Sequence, residues 1–273
     1  MNIFSLATIL GLLSLSTLSS ASQAAESSWF NTDGARIRLI SLPAANGTQF
    51  NAGLQIELER GWKTYWRSPG ASGLPPMLDF QGSQNLASTR VDYPVPTTFG
   101  DKTNLTAGYT GSVTFPITVE PLFANRPVAL KLTGLVGICA DVCIPVQFEL
   151  SLLEDGKGLS KRDVAAALLQ AQSRLVGKSS DQFYVRSARY DDTTLDVEAV
   201  LPSDDDASAL MVEGHESWYL TPAQAYKTVG RTAHYKINLK DIPKQANPAD
   251  TLLKFTVVSG NSGIEMSLKP VRH

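Results

Sequence analysis

The chain has 273 residues, of which 43% are hydrophobic and 18% are charged. This size and composition are typical of a globular protein with one large domain or two smaller ones, and they exclude a disordered or fibrous protein. The formal net charge of -2 leaves no basic excess to neutralise phosphates, so we predict no nucleic-acid binding. Two cysteines are too few for a disulfide-built miniprotein or a four-cysteine zinc site.

The amino terminus has the features of a secretory signal. Residues 3–18 (IFSLATILGLLSLSTL) are uncharged and apolar or small, and residues 22–25 (SQAA) offer small side chains where a signal peptidase would cut. We therefore predict a signal peptide over residues 1–25 and an exported protein. Retention as a membrane anchor is the alternative, because the apolar stretch is near the lower length limit for crossing a bilayer. Export would expose the cysteines to an oxidising compartment, where a disulfide persists.

Residues 26–155 alternate between apolar and polar side chains, as half-buried strands do. Leu54, Ile56 and Leu58, for example, interleave with polar residues. Similar runs lie at 35–40, 88–93, 112–120, 128–132 and 146–152, with proline and glycine turn signals between them. Short strands at this spacing predict a β-sandwich.

The pattern changes between residues 156 and 178. Ser160 is a suitable helix N-cap, and Gly177 is a suitable end. Between them Val164, Leu168, Ala171 and Leu175 make an apolar stripe at helical spacing. We predict a helical linker over residues 156–178.

Residues 179–273 return to strand-like patterns. Short runs lie at 195–200, 209–212, 218–220, 234–239, 252–258 and 264–268, and residues 259–263 (SGNSG) read as a hairpin loop. The predicted fold class is all-β, with two immunoglobulin-like β-sandwich domains joined by a short helix.

Cys139 and Cys143 are four positions apart. In a regular strand they would lie about 13 Å apart, so a bridge requires the backbone to fold back between them. The chain-entropy model gives so short a loop only about 2 kcal/mol of stabilisation, against nearly 5 kcal/mol for a loop of about 100 residues. A disulfide that adds so little stability favours a redox-active pair, which functions by being reduced and reoxidised. A passive disulfide that fastens a hairpin remains the alternative.

Several motifs in order along the chain carry a family resemblance: GWKTYWRSPG at 61–70, GLPP at 73–76, GY at 108–109, FPI at 115–117 and CADVCIP at 139–145. Over about residues 30 to 153 the chain resembles the N-terminal periplasmic domain of the thiol:disulfide interchange protein DsbD. It is most similar to the form found in the related copper-sensitivity suppressor (ScsB) proteins.

The resemblance implies an immunoglobulin-like sandwich whose cysteine pair carries electrons from a membrane-embedded thiol transporter, through a thioredoxin-like domain, to periplasmic oxidoreductases. Cys139 and Cys143 match that pair. By position in the motif, Cys143 would enter the mixed disulfide and Cys139 would resolve it. The family shields its cysteines with an aromatic cap loop, which implies a cap role for Phe99, and its active-site tyrosine falls on Tyr65.

Two features depart from the family pattern. Its founding members separate the cysteines by five residues rather than three, and the sequence carries neither transporter helices nor a C-terminal thioredoxin-like domain. We therefore expect a stand-alone exported protein whose reductant is another polypeptide. Asp141, between the cysteines, would disfavour a nearby thiolate if its charge faced inward; the alternative is a turn residue.

The sequence thus predicts a periplasmic thiol-disulfide exchange protein, a protein-disulfide reductase if the pair is redox-active. Expected partners are a membrane-embedded thiol transporter and thioredoxin-like periplasmic proteins, with no cofactor. The alternative is a non-enzymatic periplasmic copper- or protein-binding module with a structural disulfide. In the reduced state, Cys139 and Cys143 could instead bind Cu(I), with Met77 as a third soft donor. The three histidines are scattered, so we predict no metal site built on them.

Overall fold

The computed structural model describes residues 26–42, 49–101, 104–155, 162–204, 207–215, 217–240, 242–243 and 246–273. The predicted signal peptide and the predicted helix cap, Ser160, lie outside the described residues. Within these ranges no helix is both long enough and apolar enough to cross a membrane.

The first half of the chain folds into antiparallel strands. They are β1 (Phe30–Thr32), β2 (Ala35–Ser41), β3 (Phe50–Leu58), β4 (Lys63–Tyr65), β5 (Met77–Asp79), β6 (Leu86–Val91), β7 (Thr97–Phe99), β8 (Thr106–Thr110), β9 (Ser112–Pro121), β10 (Val128–Cys139) and β11 (Cys143–Glu154). One sheet has the order β1-β2-β3-β9-β6, and the facing sheet has the order β11-β10-β4-β8-β7, with β5 also paired to β10.

The two sheets enclose one apolar core. Ile37, Leu54 and Phe115 contribute to it from the first sheet, and Leu130 and Phe148 from the second. In β11 the even-numbered residues from Val146 onward are buried and the odd-numbered ones are exposed. The alternation in the sequence therefore gives the sandwich its inner and outer faces.

The helix α1 (Arg162–Ser173) packs against the first sandwich. Its buried residues Val164 and Leu168 form a small cluster with Ile40, which lies on the face of β2 opposite the core. A Cβ on Gly53 would lie only 2.8 Å from Leu168 Cδ2, so this glycine allows the close approach. The predicted apolar stripe is confirmed for Val164, Leu168 and Ala171, and it covers the outer face of a sheet.

The second half forms another pair of sheets. Its elements are β12 (Gly177–Lys178), β13 (Tyr184–Tyr190), β14 (Thr194–Val200), β15 (Ser208–Glu213), β16 (Ala223–Gln224), β17 (Lys227–Val229), β18 (Thr232–Asn238), a 3-10 turn (Pro248–Asp250), β19 (Leu253–Ser259), β20 (Ser262–Leu268) and β21 (Val271–Arg272). The sheet orders are β12-β20-β19-β15-β16 and β17-β18-β14-β13-β21. The predicted all-β fold with sandwich domains and one short helix is confirmed.

Two local predictions are wrong. Residues 218–220 are not a strand, although Trp218 and Leu220 are buried, because burial of alternate side chains does not require a sheet partner. The loop between β19 and β20 is shorter than the predicted 259–263, since Ser259 pairs directly with Ser262.

An ion cluster joins the two sandwiches. The Arg67 guanidinium donates to Glu213 at 3.1 Å and 2.7 Å and also to Glu265, while its plane stacks 4.2 Å from the Trp66 ring. Met211 and Val258 from the second half join the core of the first sandwich. The second sandwich is thus packed on the first through both apolar and charged contacts.

We expect Arg67→Met to lower the free energy of unfolding by about 2 kcal/mol, because the variant leaves Glu213 and Glu265 partly buried without their cation. Urea unfolding would measure the change. The matched control is Arg90→Met, which breaks the Arg90–Asp92 pair, where the arginine side chain is 68% exposed. That control should change stability by less than about 0.5 kcal/mol. Equal effects of the two variants would contradict a stabilising role for the interface cluster.

Candidate functional site

The cysteine pair lies at the end of the β10–β11 hairpin. Cys139 is directly opposite Cys143 in the antiparallel register, with residues 140–142 forming the turn. Their Cα atoms are 4.1 Å apart and their sulfurs form a disulfide. Closely spaced partners of this kind bring two side chains within bridging reach. The predicted folding back of the chain between the cysteines is confirmed.

The two cysteines differ in their exposure. Cys139 is fully buried, whereas Cys143 is exposed. The turn residues Asp141 and Val142 are exposed as well, and Val142 has 73% of its surface accessible. A reagent arriving from solvent therefore meets Cys143 first.

Strand β4 places an aromatic hydroxyl on the exposed cysteine. Lys63 lies opposite Cys139, so Tyr65, two residues later, points to the same face of the sheet. The Tyr65 hydroxyl is 2.9 Å from Cys143 Sγ. The ring lies over Gly137, where a Cβ would be only 2.8 Å from Tyr65 Cδ2. Gly137 thus leaves the space that the tyrosine occupies.

Tyr65 is a protonated donor in this position. Only 4% of its surface is exposed, and burial raises the pKa of its phenol above the ordinary value of 10.0. A disulfide sulfur carries no proton, so the phenol donates the hydrogen bond. The segment that follows β4 returns over the ring, since Gly73 and Leu74 lie close to Tyr65 and Gly137 respectively.

Phe99 lies beside Tyr65 on the same outer face. It belongs to β7, the edge strand of the sheet, and its ring passes over Gly108, where a Cβ would be 2.8 Å from Phe99 Cζ. The Phe99 and Tyr65 ring centroids are 6.4 Å apart, and the Lys63 ammonium is 4.9 Å from the Phe99 centroid. The structure therefore brings Cys139, Cys143, Tyr65 and Phe99 into one cluster.

Other sequence candidates lie outside this cluster. Asp141 is an exposed turn residue. Met77 pairs with Leu135, four residues before Cys139 on β10, which places its backbone about 13 Å along the strand from the disulfide. Among the described residues no group of three or more His, Cys, Asp or Glu side chains is arranged to hold a metal ion. The copper link therefore has no support in the described geometry.

Sequence reasoning missed three contributors to the cluster, namely Lys63, Gly108 and Gly137. Gly137 and Cys139 are two positions apart, as are Lys63 and Tyr65, which is the spacing of side chains on one face of a strand. That signal was readable, but the register that sets the two strands side by side was not. The resemblance included Gly108 without indicating that an aromatic ring lies over it.

We expect Tyr65→Phe to slow alkylation of Cys143 in the reduced protein about tenfold at pH 7. A charge-assisted hydrogen bond to a thiolate is worth about 1.5 kcal/mol, and its loss lowers the thiolate fraction. The rate of iodoacetamide labelling would be measured in a Cys139→Ser background, which leaves a single thiol.

Tyr93→Phe is the control for this substitution, because Tyr93 is a partly buried tyrosine of the same sandwich that packs on Phe115. It should leave the labelling rate unchanged. An unchanged rate in Tyr65→Phe would mean that the phenol does not stabilise the thiolate.

Comparison with known proteins agrees with this geometry. Residues 38–155 match the family model described as "Thiol:disulfide interchange protein DsbD, N-terminal". The fold is similar to the crystal structure of the N-terminal periplasmic domain of ScsB from Proteus mirabilis, with a TM-score of 0.74 and 20% sequence identity. That match covers 92% of this chain and 100% of the other. No curated protein sequence matches the chain. Residues 38–155, which carry the disulfide-bonded cysteine pair, are thus similar to the N-terminal domain of thiol:disulfide interchange proteins, and this match supports a thiol-disulfide exchange domain.

Proposed function

We propose that this protein is a periplasmic electron relay, which accepts electrons from a membrane-embedded thiol transporter and passes them to thioredoxin-like oxidoreductases through Cys139 and Cys143. The observation that carries the proposal is the unequal exposure of the two cysteines within one short hairpin. An exposed sulfur is open to attack by a partner thiolate, and a buried neighbour resolves the intermediate without competing for partners.

The proposed reaction takes place in two exchanges. A thiolate of the reducing partner attacks Cys143 Sγ, the Cys139–Cys143 bond breaks, and Cys139 leaves as a thiolate that takes up a proton. The second thiolate of the partner then attacks the partner sulfur of the mixed disulfide and releases Cys143 as a thiolate, which also takes up a proton. The partner has become a disulfide, and the pair has gained two electrons and two protons. Delivery to the acceptor runs the same steps in reverse, with Cys143 attacking and Cys139 resolving.

The surroundings of Cys143 suit a protein partner. The adjacent Val142 presents an exposed apolar side chain, and Asp141 stands beside it on the same turn. In the proposed mechanism Tyr65 stabilises the thiolate that forms on Cys143, and Phe99 restricts access from the side of β7. A hairpin tip of this shape fits into a surface groove of another protein more readily than it binds a small substrate.

A periplasmic location is consistent with these features. A disulfide persists in an oxidising compartment, and the similar domain of known structure is described as periplasmic. The apolar residues 3–18 supply the candidate export signal.

Trapping experiments with a thioredoxin-like protein test the relay and the order of the cysteines. We expect Cys139→Ser to accumulate a mixed disulfide through Cys143, because the resolving thiol is missing. Cys143→Ser should trap little, because the remaining thiol is buried. Non-reducing electrophoresis followed by mass spectrometry would identify the linked residues.

The wild-type couple should have a reduction potential above about -300 mV, measured by alkylation across defined redox buffers. Trapping in Cys143→Ser alone would reverse the proposed order. A disulfide that resists reduction until the domain unfolds would instead assign it a structural role.

A further inference from the structure

Lys63 stands opposite the buried cysteine but directs its charge elsewhere. Its backbone pairs with Cys139, and both side chains therefore face the same side of the sheet. Its ammonium lies 4.9 Å from the centre of the Phe99 ring. Among the residues that the structure describes, no carboxylate forms an ion pair with Lys63. The aromatic face is thus the partner that the structure gives this cation.

The contact joins side chains whose backbones are far apart. Lys63 pairs with Thr110 on β8, whereas Phe99 pairs with Thr106, four residues away on the same strand. That offset is about 13 Å along the strands, so each side chain must extend toward the other. The Phe99 ring reaches toward Lys63 across Gly108, which has no side chain to block it. The ring is thereby drawn toward the end of the sheet that carries the disulfide.

The strand that carries Phe99 is weakly held by its backbone. β7 has three residues and pairs only with β8 at the edge of the sheet. Short edge strands open at low cost, so side-chain contacts decide whether the ring stays in place. Phe99 has two such aromatic or cationic contacts in the described structure, with Tyr65 on one side and Lys63 on the other.

We propose that Lys63 is a positioning residue that holds Phe99 beside Tyr65, the residue in contact with Cys143, through a cation–π contact, and thereby limits the access of thiols to Cys143. The proposal rests on the exchange function proposed above, in which Phe99 restricts access. A partner protein that displaces Phe99 breaks this contact, whereas a small thiol has nothing with which to displace it. Lys63 therefore favours exchange with a docked partner over exchange with free thiols.

The test is the rate at which small thiols reduce the full mature protein. We expect Lys63→Met to be reduced about three- to fivefold faster than wild type, the factor that loss of a partly exposed cation–π contact produces. Lys63→Arg keeps a cation over the ring and should react at the wild-type rate. Arg126→Met is the matched control, because Arg126 lies 4.8 Å from the Phe123 ring centre, in a cation–π pair of the same sandwich. That control should have no effect.

Two reductants separate access from simple charge attraction. Glutathione carries a net negative charge, whereas the thiolate of cysteamine is balanced by its own ammonium. Release of Phe99 accelerates both reductants alike in Lys63→Met. If Lys63 merely attracted the attacking thiolate, Lys63→Met would slow glutathione and leave cysteamine nearly unchanged, and that result would overturn the proposal.

A double-mutant cycle links the effect to the ring. Phe99→Leu keeps an apolar side chain but removes the aromatic face, so Lys63→Met should add nothing in that background. Equal acceleration by Lys63→Met with and without the ring would overturn the proposal, as would unchanged rates in the single variant. Lys63→Gln replaces Lys63→Met if the latter does not fold.

Failure of the relay function is recognised separately. A wild-type protein that does not exchange with thioredoxin-like proteins contradicts the relay, whereas the small-thiol rates report on the Lys63–Phe99 contact in either case.

Discussion

The register of the β10–β11 hairpin is the constraint on which the candidate site depends. It sets Cys139 opposite Cys143, and a slip of one residue would turn one sulfur to the other face of the sheet. Core packing fixes the register, since Val146 and Phe148 must remain inside the sandwich. Gly134, opposite Phe148, leaves room for its ring, because a Cβ there would lie 2.2 Å from Phe148 Cζ. The hydrophobic core thus determines the geometry of a disulfide that lies on the outer face.

The same register explains why an outer face can be buried at this point. Tyr65 and Cys139 point away from the core, yet both are almost inaccessible to solvent. Gly137 and Gly108 have no side chains, so the aromatic rings of Tyr65 and Phe99 lie directly against the backbone of the sheet. The segment around Gly73 and Leu74 then closes over Tyr65. A small apolar compartment forms outside the main core, and Cys143 lies at its open side.

The second sandwich holds the segments on either side of this compartment. Arg67, two residues after Tyr65, binds Glu213 and Glu265. Val95, four residues before Phe99, is buried next to Gly263, and its amide donates to the Arg174 carbonyl at 2.8 Å. The segment that follows Tyr65 and the segment that precedes β7 are therefore both held by contacts with the rest of the protein. This arrangement gives the second sandwich a structural part in the site, although none of its described side chains belongs to the disulfide cluster.

Sequence reasoning reached the parts of this arrangement that are local. The alternation in β11 and the helical stripe of α1 follow from side-chain periodicity, and the folding back between Cys139 and Cys143 follows from bond geometry. The resemblance supplied Tyr65 and Phe99 as candidates. Strand register and close backbone approach are tertiary properties. Only the structure therefore shows the contact between Lys63 and Phe99 and the packing of aromatic rings on Gly137 and Gly108. The second sandwich was predicted as a domain, but its contact with the segments around the site was not.

In the proposed exchange, the direction of attack depends on the unequal burial of the two cysteines. Thiol-disulfide exchange requires the incoming sulfur, the attacked sulfur and the leaving sulfur to lie nearly in line. Because Cys139 is buried and Cys143 is exposed, the proposal has the partner attack Cys143, with Cys139 as the leaving group. The Tyr65 hydroxyl contacts Cys143 Sγ, and Cys143 nevertheless remains exposed, so the contact does not cover the whole residue. A disulfide that closes only a short loop can break in this way without loss of the fold, since the β10–β11 pairing and the sandwich core hold the hairpin together.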